Sequence, residues 1–323
     1  MIDVNLQNFQ DEVLAASMNV PVLLDVWAEW CGPCKQLGPV LEQLEAEYGG
    51  RFKLAKLDAD KVPEIAGQLS QMVGTRSIPL CVLFVQGQPV DAFVGAQPPQ
   101  QLRAFLDKHV PSEGALVAEE EVSEAEALLA SGDTQAALAK LADALAQDPA
   151  NDDARFDYVR LLMGTGAYEE AAATLEEPLK REPRPLRFDA LRRWLDAMLF
   201  VEQNERGNWA LPQFDELIAA NKRDFDTRFQ KAQVLMAEGQ WPQAMDELLE
   251  IIMRDKKWND EAARKTYVAI LELLTPPPPK AGAAADGKSA GGIELTGKAA
   301  AQQQDPQAEL VSSYRRKLSM ALN

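Results

Sequence analysis

The feature that most constrains the fold of this chain is a C-x-x-C motif set between an apolar run and a helical pattern. Residues 22–27 are mostly apolar and predict a buried strand. Cys31 and Cys34, separated by a Gly-Pro pair, follow after a short connection, and apolar residues then recur at helical spacing up to a Gly-Gly pair at 49–50. The two cysteines are therefore predicted to lie at a strand-to-helix junction, with Cys31 at the helix N-terminus.

This placement predicts thiol chemistry. The unpaired N–H groups and the dipole at a helix N-terminus favour negative charge, so the pKa of the Cys31 thiol is expected to be lowered toward a reactive thiolate. Cys34 falls in the first turn, where it is expected to be less exposed and to resolve a mixed disulfide formed by Cys31. The expected cycle is attack by Cys31, a mixed disulfide with the substrate, and release by Cys34.

The supply of metal-binding side chains argues against zinc. The chain has three cysteines and one histidine, whereas a structural zinc site needs about four nitrogen or sulfur ligands. A redox pair is the better interpretation of this cytosolic type of cysteine usage, and we expect no metal and no other cofactor. The third cysteine, Cys81, lies among apolar residues of a predicted strand. Buried packing is the expected role for it, and a regulatory thiol is the alternative.

Charge and hydropathy exclude several classes of partner. The formal net charge of −17 argues against a nucleic acid or an anionic membrane surface as the main partner. No apolar stretch approaches the length of a membrane span, and the first residues do not resemble a signal peptide. A cytoplasmic location is therefore expected.

The first 110 residues predict an α/β sandwich. Strands are expected at 51–58, 80–85 and 90–94, a short helix at 63–69, and an amphipathic helix at 98–109. This order, together with the unaltered run Trp-Ala-Glu-Trp-Cys-Gly-Pro-Cys-Lys at 27–35, resembles thioredoxin across residues 1–110. The resemblance implies a thioredoxin fold with a redox disulfide between Cys31 and Cys34.

The same resemblance assigns roles to four further residues. Asp25, six residues before Cys31, matches the buried acid that moves the proton of the resolving thiol. Lys56 matches the lysine that tunes that acid. Pro79 matches the cis-proline of the substrate loop, and cis peptide bonds are essentially a proline feature. Trp30 belongs to the active-site signature.

The middle of the chain repeats itself every 34 residues. A pattern of leucine, glycine, alanine, leucine and proline starting at Leu128 recurs 34 residues later, starting at Leu162. Another copy without the proline starts at Leu235, which leaves room for one divergent repeat over about 185–224. The pattern predicts a helix, a turn at glycine and a second helix, and it resembles tetratricopeptide repeats, whose stacks bind proteins on a concave surface.

The tail predicts a helix behind a Pro/Ala/Gly-rich segment that cannot bury a core. Within the helix, apolar residues recur every four positions with basic residues beside them; the set is Leu310, Tyr314, Arg315, Arg316, Leu318 and Leu322. The helix is expected either to fold back and cap the last repeat, or to dock into the groove of a partner.

The complete order of segments resembles the bacterial chaperedoxin family, in which a thioredoxin domain precedes tetratricopeptide repeats. Besides that order, Arg264-Lys265-Thr266-Tyr267 and the stretch at 313–318 are similar to that family's C-terminal segments. The resemblance implies a co-chaperone that holds unfolding proteins under oxidative stress and passes them to the chaperonin through the terminal helix. Its partners would be unfolded or oxidised client proteins, the chaperonin, and a reductase that regenerates the cysteine pair.

The expected organisation has five parts. They are a thioredoxin domain at 1–111, a linker at 112–121, helical repeats at 122–275, a disordered linker at 276–306 and an amphipathic helix at 307–323. A second function remains open at this stage. The chain is alternatively a dedicated disulfide reductase whose repeats recruit one protein substrate.

Overall fold

A computed structural model of the protein describes residues 1–275 and 306–322. The chain divides into two compact units, the first formed by Met1–Val117 and the second by the described residues from 118 onward. The first unit is an α/β sheet structure and the second is built of helices. The predicted fold class, a thioredoxin fold followed by helical repeats and a C-terminal helix, is confirmed.

The first unit is built on a five-stranded sheet with the strand order β1-β3-β2-β4-β5. The strands are β1 (Ile2–Val4), β2 (Val22–Trp27), β3 (Lys53–Asp58), β4 (Leu80–Val85) and β5 (Gln88–Val94). β1, β3 and β2 run parallel to one another, β4 runs antiparallel to β2, and β5 runs antiparallel to β4. The apolar runs of β2 and β4 lie next to each other at the centre of the sheet, where both of their faces are buried.

Helices cover both faces of this sheet. They are α1 (Gly32–Glu47), α2 (Pro63–Val73) and α3 (Pro99–Leu106), with short helical turns at Gln10–Ala15 and Ala16–Met18. Leucines of α1 and α3 share one core cluster with alternate residues of β2 and β4, and α2 packs against the other face. Because side chains alternate along a strand, Asp25 points to the same side as α1.

The second unit is a series of helices, most of which pack on a neighbour in the chain. They are α4 (Glu113–Ser131), α5 (Thr134–Gln147), α6 (Asp152–Gly164), α7 (Tyr168–Leu179), α8 (Leu186–Gln203), α9 (Leu211–Ala220), α10 (Phe225–Ala237), α11 (Trp241–Arg254), α12 (Trp258–Leu274) and α13 (Pro306–Leu322). A short turn at Glu205–Asn208 joins α8 to α9. Residues 259–261 have positive φ, so the regular part of α12 begins after them.

The repeated residues occupy equivalent places in the helix pairs. Gly132, Gly166 and Gly239 all have positive φ and end the first helix of a pair, as glycine readily does. The alanines of the repeated pattern, at 137, 171 and 244, are completely buried. The 34-residue period therefore corresponds to one helix pair.

The segment at 112–121 differs from the linker predicted for it. α4 begins at Glu113, because alanine and glutamate favour helix. Ala118, Val122 and Ala125 recur at spacings of four and three residues and are buried against α5. The acidic composition of this segment therefore marks the outer face of a helix.

The predicted disordered linker at 276–306 lies outside the described residues except for Pro306, which begins α13. The predicted C-terminal helix at 307–323 corresponds to α13, which ends at Leu322, and residue 323 lies outside the described part. Within residues 1–275 and 306–322, no helix has the length and apolar character needed to cross a membrane.

Candidate active site

Cys31 and Cys34 form a disulfide at the N-terminus of α1. Cys31 is the residue that caps the helix, and its Sγ accepts a 3.2 Å hydrogen bond from the backbone N–H of Cys34. β2 positions the pair because it ends at Trp27, a few residues before the helix begins. Both cysteines are nearly buried in this oxidised state, with 4% and 3% of their surface exposed. The expected difference in exposure between them is therefore absent from the disulfide form.

Asp25 lies in β2 on the side of the sheet that faces α1. It is 1% exposed, and burial raises its pKa to about 6, against an ordinary value of 3.8. A hydrogen bond from Cys81 and the positive charge of Lys56 act in the opposite direction but do not cancel the effect of burial. Asp25 can therefore change its protonation state close to neutral pH.

Lys56 is paired with Asp25 in the register of the parallel strands β3 and β2. Its ammonium group forms an ion pair with Glu42 on α1. The charge of Lys56 therefore acts on Asp25 across the strand pair while Glu42 holds the ammonium group in place.

A small cavity connects these groups. Asp25 and Lys56 line it together with Cys34 and Lys35 at the start of α1. The buried carboxyl group and the second cysteine thus line one cavity beside the sheet, which provides a route for a proton between them.

Pro79 and Trp30 are next in sequence to residues of the disulfide cluster. The Ile78–Pro79 peptide bond is cis, and Ile78 packs against the small cluster that contains both cysteines. Trp30 is 70% exposed, and its indole Nε1 donates a 2.9 Å hydrogen bond to Asp60. The predicted residues Cys31, Cys34, Asp25, Lys56, Pro79 and Trp30 are thus brought together at one end of the sheet.

Sequence reasoning missed three neighbours of this site, namely Glu42, Asp60 and Cys81. Glu42 and Asp60 are ordinary surface acids until the register of β3 and the position of α1 are known, so no sequence signal marked them. Cys81 carried a usable signal, because it lies two residues after Pro79 on a strand predicted to join the same sheet. A cysteine on the strand beside the buried acid was a candidate contact.

The six residues predicted as a partner surface on α13 separate into two sets. Tyr314 is 5% exposed, and Leu310, Leu318 and Leu322 pack with it on the core cluster of α11 and α12. Arg315 and Arg316 are exposed. The apolar face of α13 is thus used to cover the end of the helical unit, because it completes a core that α11 and α12 leave open. A partner that contacts docked α13 meets the basic outer face and not these four side chains.

Polar contacts fix α13 in this position. The hydroxyl of Tyr267 on α12 donates a 2.8 Å hydrogen bond to the backbone oxygen of Tyr314. The hydroxyl of Tyr314 lies 3.2 Å from Asp246 on α11, and Lys317 forms a 3.1 Å ion pair with the same carboxylate. These contacts join α13 to both neighbouring helices.

The fold and the site define a thioredoxin-like redox domain followed by protein-interaction repeats. Sequence comparison agrees, since a model of the thioredoxin family matches residues 1–108 and two tetratricopeptide repeat models match residues 128–195 and 204–284. Similar proteins include a thioredoxin of Chlorobaculum thiosulfatiphilum, 45% identical over 104 residues that are 32% of this chain and 91% of that protein. The chain belongs to the thioredoxin family.

Two further relatives are thioredoxins as well. Thioredoxin 1 of Nostoc sp. is 43% identical over 102 residues, which are 32% of this chain and 90% of that protein. A thioredoxin of Staphylococcus aureus is 49% identical over 88 residues, which are 27% of this chain and 81% of that protein. These similarities concern the first unit, and the repeats are additional to it.

Proposed function

We propose that this protein is a redox-active co-chaperone, which holds unfolding proteins on its repeats and exchanges their disulfides through Cys31 and Cys34. The observation that carries the proposal is that one chain combines a complete exchange site with a stack of tetratricopeptide-type helix pairs. We place this activity in the cytoplasm, where thiols are kept reduced.

In the reduced protein, the thiolate of Cys31 attacks one sulfur of a client disulfide. A mixed disulfide forms and the other client sulfur leaves as a thiolate. Cys34 then loses its proton to Asp25 and attacks the Cys31 sulfur, which releases the second client thiolate and leaves the Cys31–Cys34 disulfide. A dithiol reductase returns two electrons and two protons to the pair for the next cycle.

The residues around the pair support these steps. The N-terminus of α1 favours the thiolate of Cys31, and Asp25 shares a cavity with Cys34. The positive charge of Lys56 stabilises the carboxylate form of Asp25. The cis Ile78–Pro79 bond, whose Ile78 packs on the disulfide cluster, is the place where the backbone of a bound client aligns.

The repeats provide the holding surface. Several large apolar side chains of this unit are exposed, including Leu186, Leu217, Met253 and Met320. Met253 and Met320 line one surface groove together with Leu249 and Ala321, and an exposed apolar groove of this kind is the surface on which we expect the apolar segments of unfolding clients to bind. We therefore expect holding to be independent of the cysteine pair.

An aggregation assay tests the proposal. The full-length protein with Cys31→Ser and Cys34→Ser should suppress aggregation of a heat-unfolded client that has no cysteines as well as the unaltered protein does. The matched control is the unaltered chain with a cysteine-containing client, which should gain additional protection from exchange. Absence of suppression in both chains would exclude the holding function.

A dedicated disulfide reductase, whose repeats recruit one protein substrate, is the second candidate. The same site geometry supports it, because the exchange machinery does not depend on how a client is captured. The two functions differ in breadth, since a holdase protects unrelated clients and a dedicated reductase acts on one. Rapid reduction of a single folded substrate, without any suppression of aggregation, would favour the reductase.

Delivery to the chaperonin through the C-terminal helix is part of the proposal. Because Tyr314 is buried against α11 and α12, the outer face of α13 is the surface that a docked helix offers. Arg315→Glu with Arg316→Glu should abolish co-purification with the chaperonin while the reduction of insulin is unchanged. Removal of residues 307–323 should have the same result, and co-purification that survives this removal would exclude the contact.

A further inference from the structure

The third cysteine lies directly beside the buried acid of the exchange site. Cys81 on β4 is paired with Asp25 on β2 in the antiparallel register. Its Sγ is 3.6 Å from Oδ1 of Asp25, a normal distance for a hydrogen bond from sulfur. Cys81 is completely buried and takes no part in the disulfide.

Asp25 meets charged and titratable groups from three elements. Lys56 faces it from β3, Cys81 faces it from β4, and Cys34 and Lys35 at the start of α1 line the adjoining cavity. The ammonium group of Lys56 is shared with Glu42. Cys81 is therefore the group that supplies a hydrogen-bond donor to the carboxyl of Asp25 from within the sheet.

We propose that Cys81 is a positioning residue for disulfide exchange, because its S–H group donates a hydrogen bond to Asp25 and stabilises the carboxylate that receives the proton of Cys34. The inference rests on the proposed role of Asp25 as the proton acceptor.

The electrostatics agree with this direction. A hydrogen bond to the charged form of an acid favours that form, and the bond from Cys81 opposes the effect of burial on the pKa of Asp25. In turn, burial and the charge of Asp25 raise the pKa of the Cys81 thiol well above its ordinary value. Cys81 thus stays protonated, which suits a donor and not a nucleophile or a regulatory thiol.

Cysteine suits this position in the core. Cys81 belongs to the apolar cluster that contains Leu23 and Leu83 on the same face of the sheet. A free cysteine packs as a small apolar residue and still carries a weak S–H donor. It can therefore donate to Asp25 without placing a strongly polar group in the core.

Two variants of the same shape test the proposal in the full-length chain. Cys81→Val removes the donor, whereas Cys81→Thr keeps an O–H donor on a β-branched side chain of nearly equal size. The titration of the Asp25 carboxyl carbon is followed by NMR in the oxidised protein, and the rate of insulin reduction is measured between pH 5.5 and 8.

We expect Cys81→Val to move the Asp25 titration and the acid limb of the rate profile upward by about half to one pH unit. At pH 6.5 that shift corresponds to a rate about twofold lower, by the change in the ionised fraction of Asp25, and the difference should narrow toward pH 8. Cys81→Thr should leave the titration within about 0.3 pH unit of the unaltered protein or move it downward, because its donor still favours the carboxylate. Equal upward shifts in both variants, or no shift in Cys81→Val, would overturn the proposal.

The two readouts separate this inference from the proposed function. A titration shift confined to Cys81→Val, in a protein that does not reduce insulin at any pH, would support the hydrogen bond and contradict the exchange function. If Cys81→Val does not fold, the pair Cys81→Ala and Cys81→Ser makes the same comparison, with the serine variant retaining the donor.

Discussion

The hydroxyl of Tyr267 lies 2.8 Å from the backbone oxygen of Tyr314, and both residues are buried. This contact joins the last helix before residue 276 to the helix that follows residue 305. The C-terminal helix is thereby part of the core of the helical unit, with its apolar face turned inward.

Replacing Tyr267 by Phe should loosen α13. The variant keeps the ring but removes a buried donor, which costs about 1 kcal/mol in the free energy of unfolding. Hydrogen exchange of the α13 amides should accelerate by about fivefold, which is the factor that corresponds to this energy. Tyr158→Phe is the matched control, since its hydroxyl bonds to Glu170 at an exposed position. Unchanged exchange in α13 after Tyr267→Phe would show that the hydrogen bond does not hold the helix.

Glu247 joins α11 to α10 through two cations. It forms an ion pair with Arg228, whose side chain is 11% exposed, and a 2.6 Å ion pair with Lys231, whose side chain is 12% exposed. Glu247→Gln leaves both cations with a weakened partner in a partly buried setting. We expect a loss of about 2 kcal/mol in the free energy of unfolding of the helical unit, measured by urea denaturation.

The control for that variant is Glu250→Gln on the same helix. Glu250 pairs with Arg254 at a more exposed position one turn away, so its removal should cost less than about 0.5 kcal/mol. Equal losses in the two variants would show that burial of the Glu247 cluster does not strengthen its contribution.

Alanine substitutions at Gly166 and Gly164 test whether backbone conformation or side-chain space decides where glycine is needed. A Cβ at either position meets no atom within 4 Å, but Gly166 has a φ of +81° and Gly164 is the last residue of α6. Gly166→Ala should therefore destabilise the helical unit by about 1 kcal/mol, because an L-residue is strained in the left-handed region. Gly164→Ala should stabilise it by about 0.5 kcal/mol in the same thermal unfolding measurement. A loss of stability in both variants would contradict this account.

The burial of Asp25 makes the stability of the first unit depend on pH. Because its pKa in the folded protein is about 6, above the ordinary 3.8, the stability from protonated Asp25 is complete below about pH 4 and is lost as the pH rises through 6. The loss between pH 4 and pH 7 is about 2 kcal/mol. Asp25→Asn should remove this dependence. The measurement is urea unfolding at several pH values, in which the methyl NMR signals of β2 report the unfolding of the first unit.

Asp91 provides the control for that titration. The hydrogen bond with His109 holds the pKa of Asp91 below its ordinary range, so Asp91 adds little slope between pH 4 and pH 7. Asp91→Asn should therefore keep the pH dependence that Asp25→Asn removes. A steep slope that persists in Asp25→Asn would mean that another group is responsible.

Much of the exchange site was predictable because its elements are local. The strand that ends before Cys31 and the helix that begins after it place the cysteine pair by short-range geometry alone. Asp25 and Pro79 entered through the resemblance to thioredoxin, and the structure brings them to the same end of the sheet. Glu42 and Cys81 were not predicted as parts of the site, because their contacts depend on which residues of separate strands and helices face each other.

The helical unit shows the same division. Its 34-residue period determined the helix pairs, since the glycine turns and buried alanines are properties of each repeat. The sequence left two positions open for the C-terminal helix, and its pattern of Leu310, Tyr314, Leu318 and Leu322 is the same for a cap and for a docking peptide. In this structure the helix is a cap, because its apolar face covers the apolar side chains of α11 and α12.

The sequence by itself therefore determined the class of each unit, the helix pairs and the position of the redox pair, because these follow from periodicity and from neighbours in the chain. The tertiary structure decided that Cys81 donates to Asp25, that Glu42 holds Lys56, and that α13 turns its apolar face inward. Each of these is a contact between residues far apart in the chain. Such contacts are set by strand register and helix packing, which no local pattern encodes.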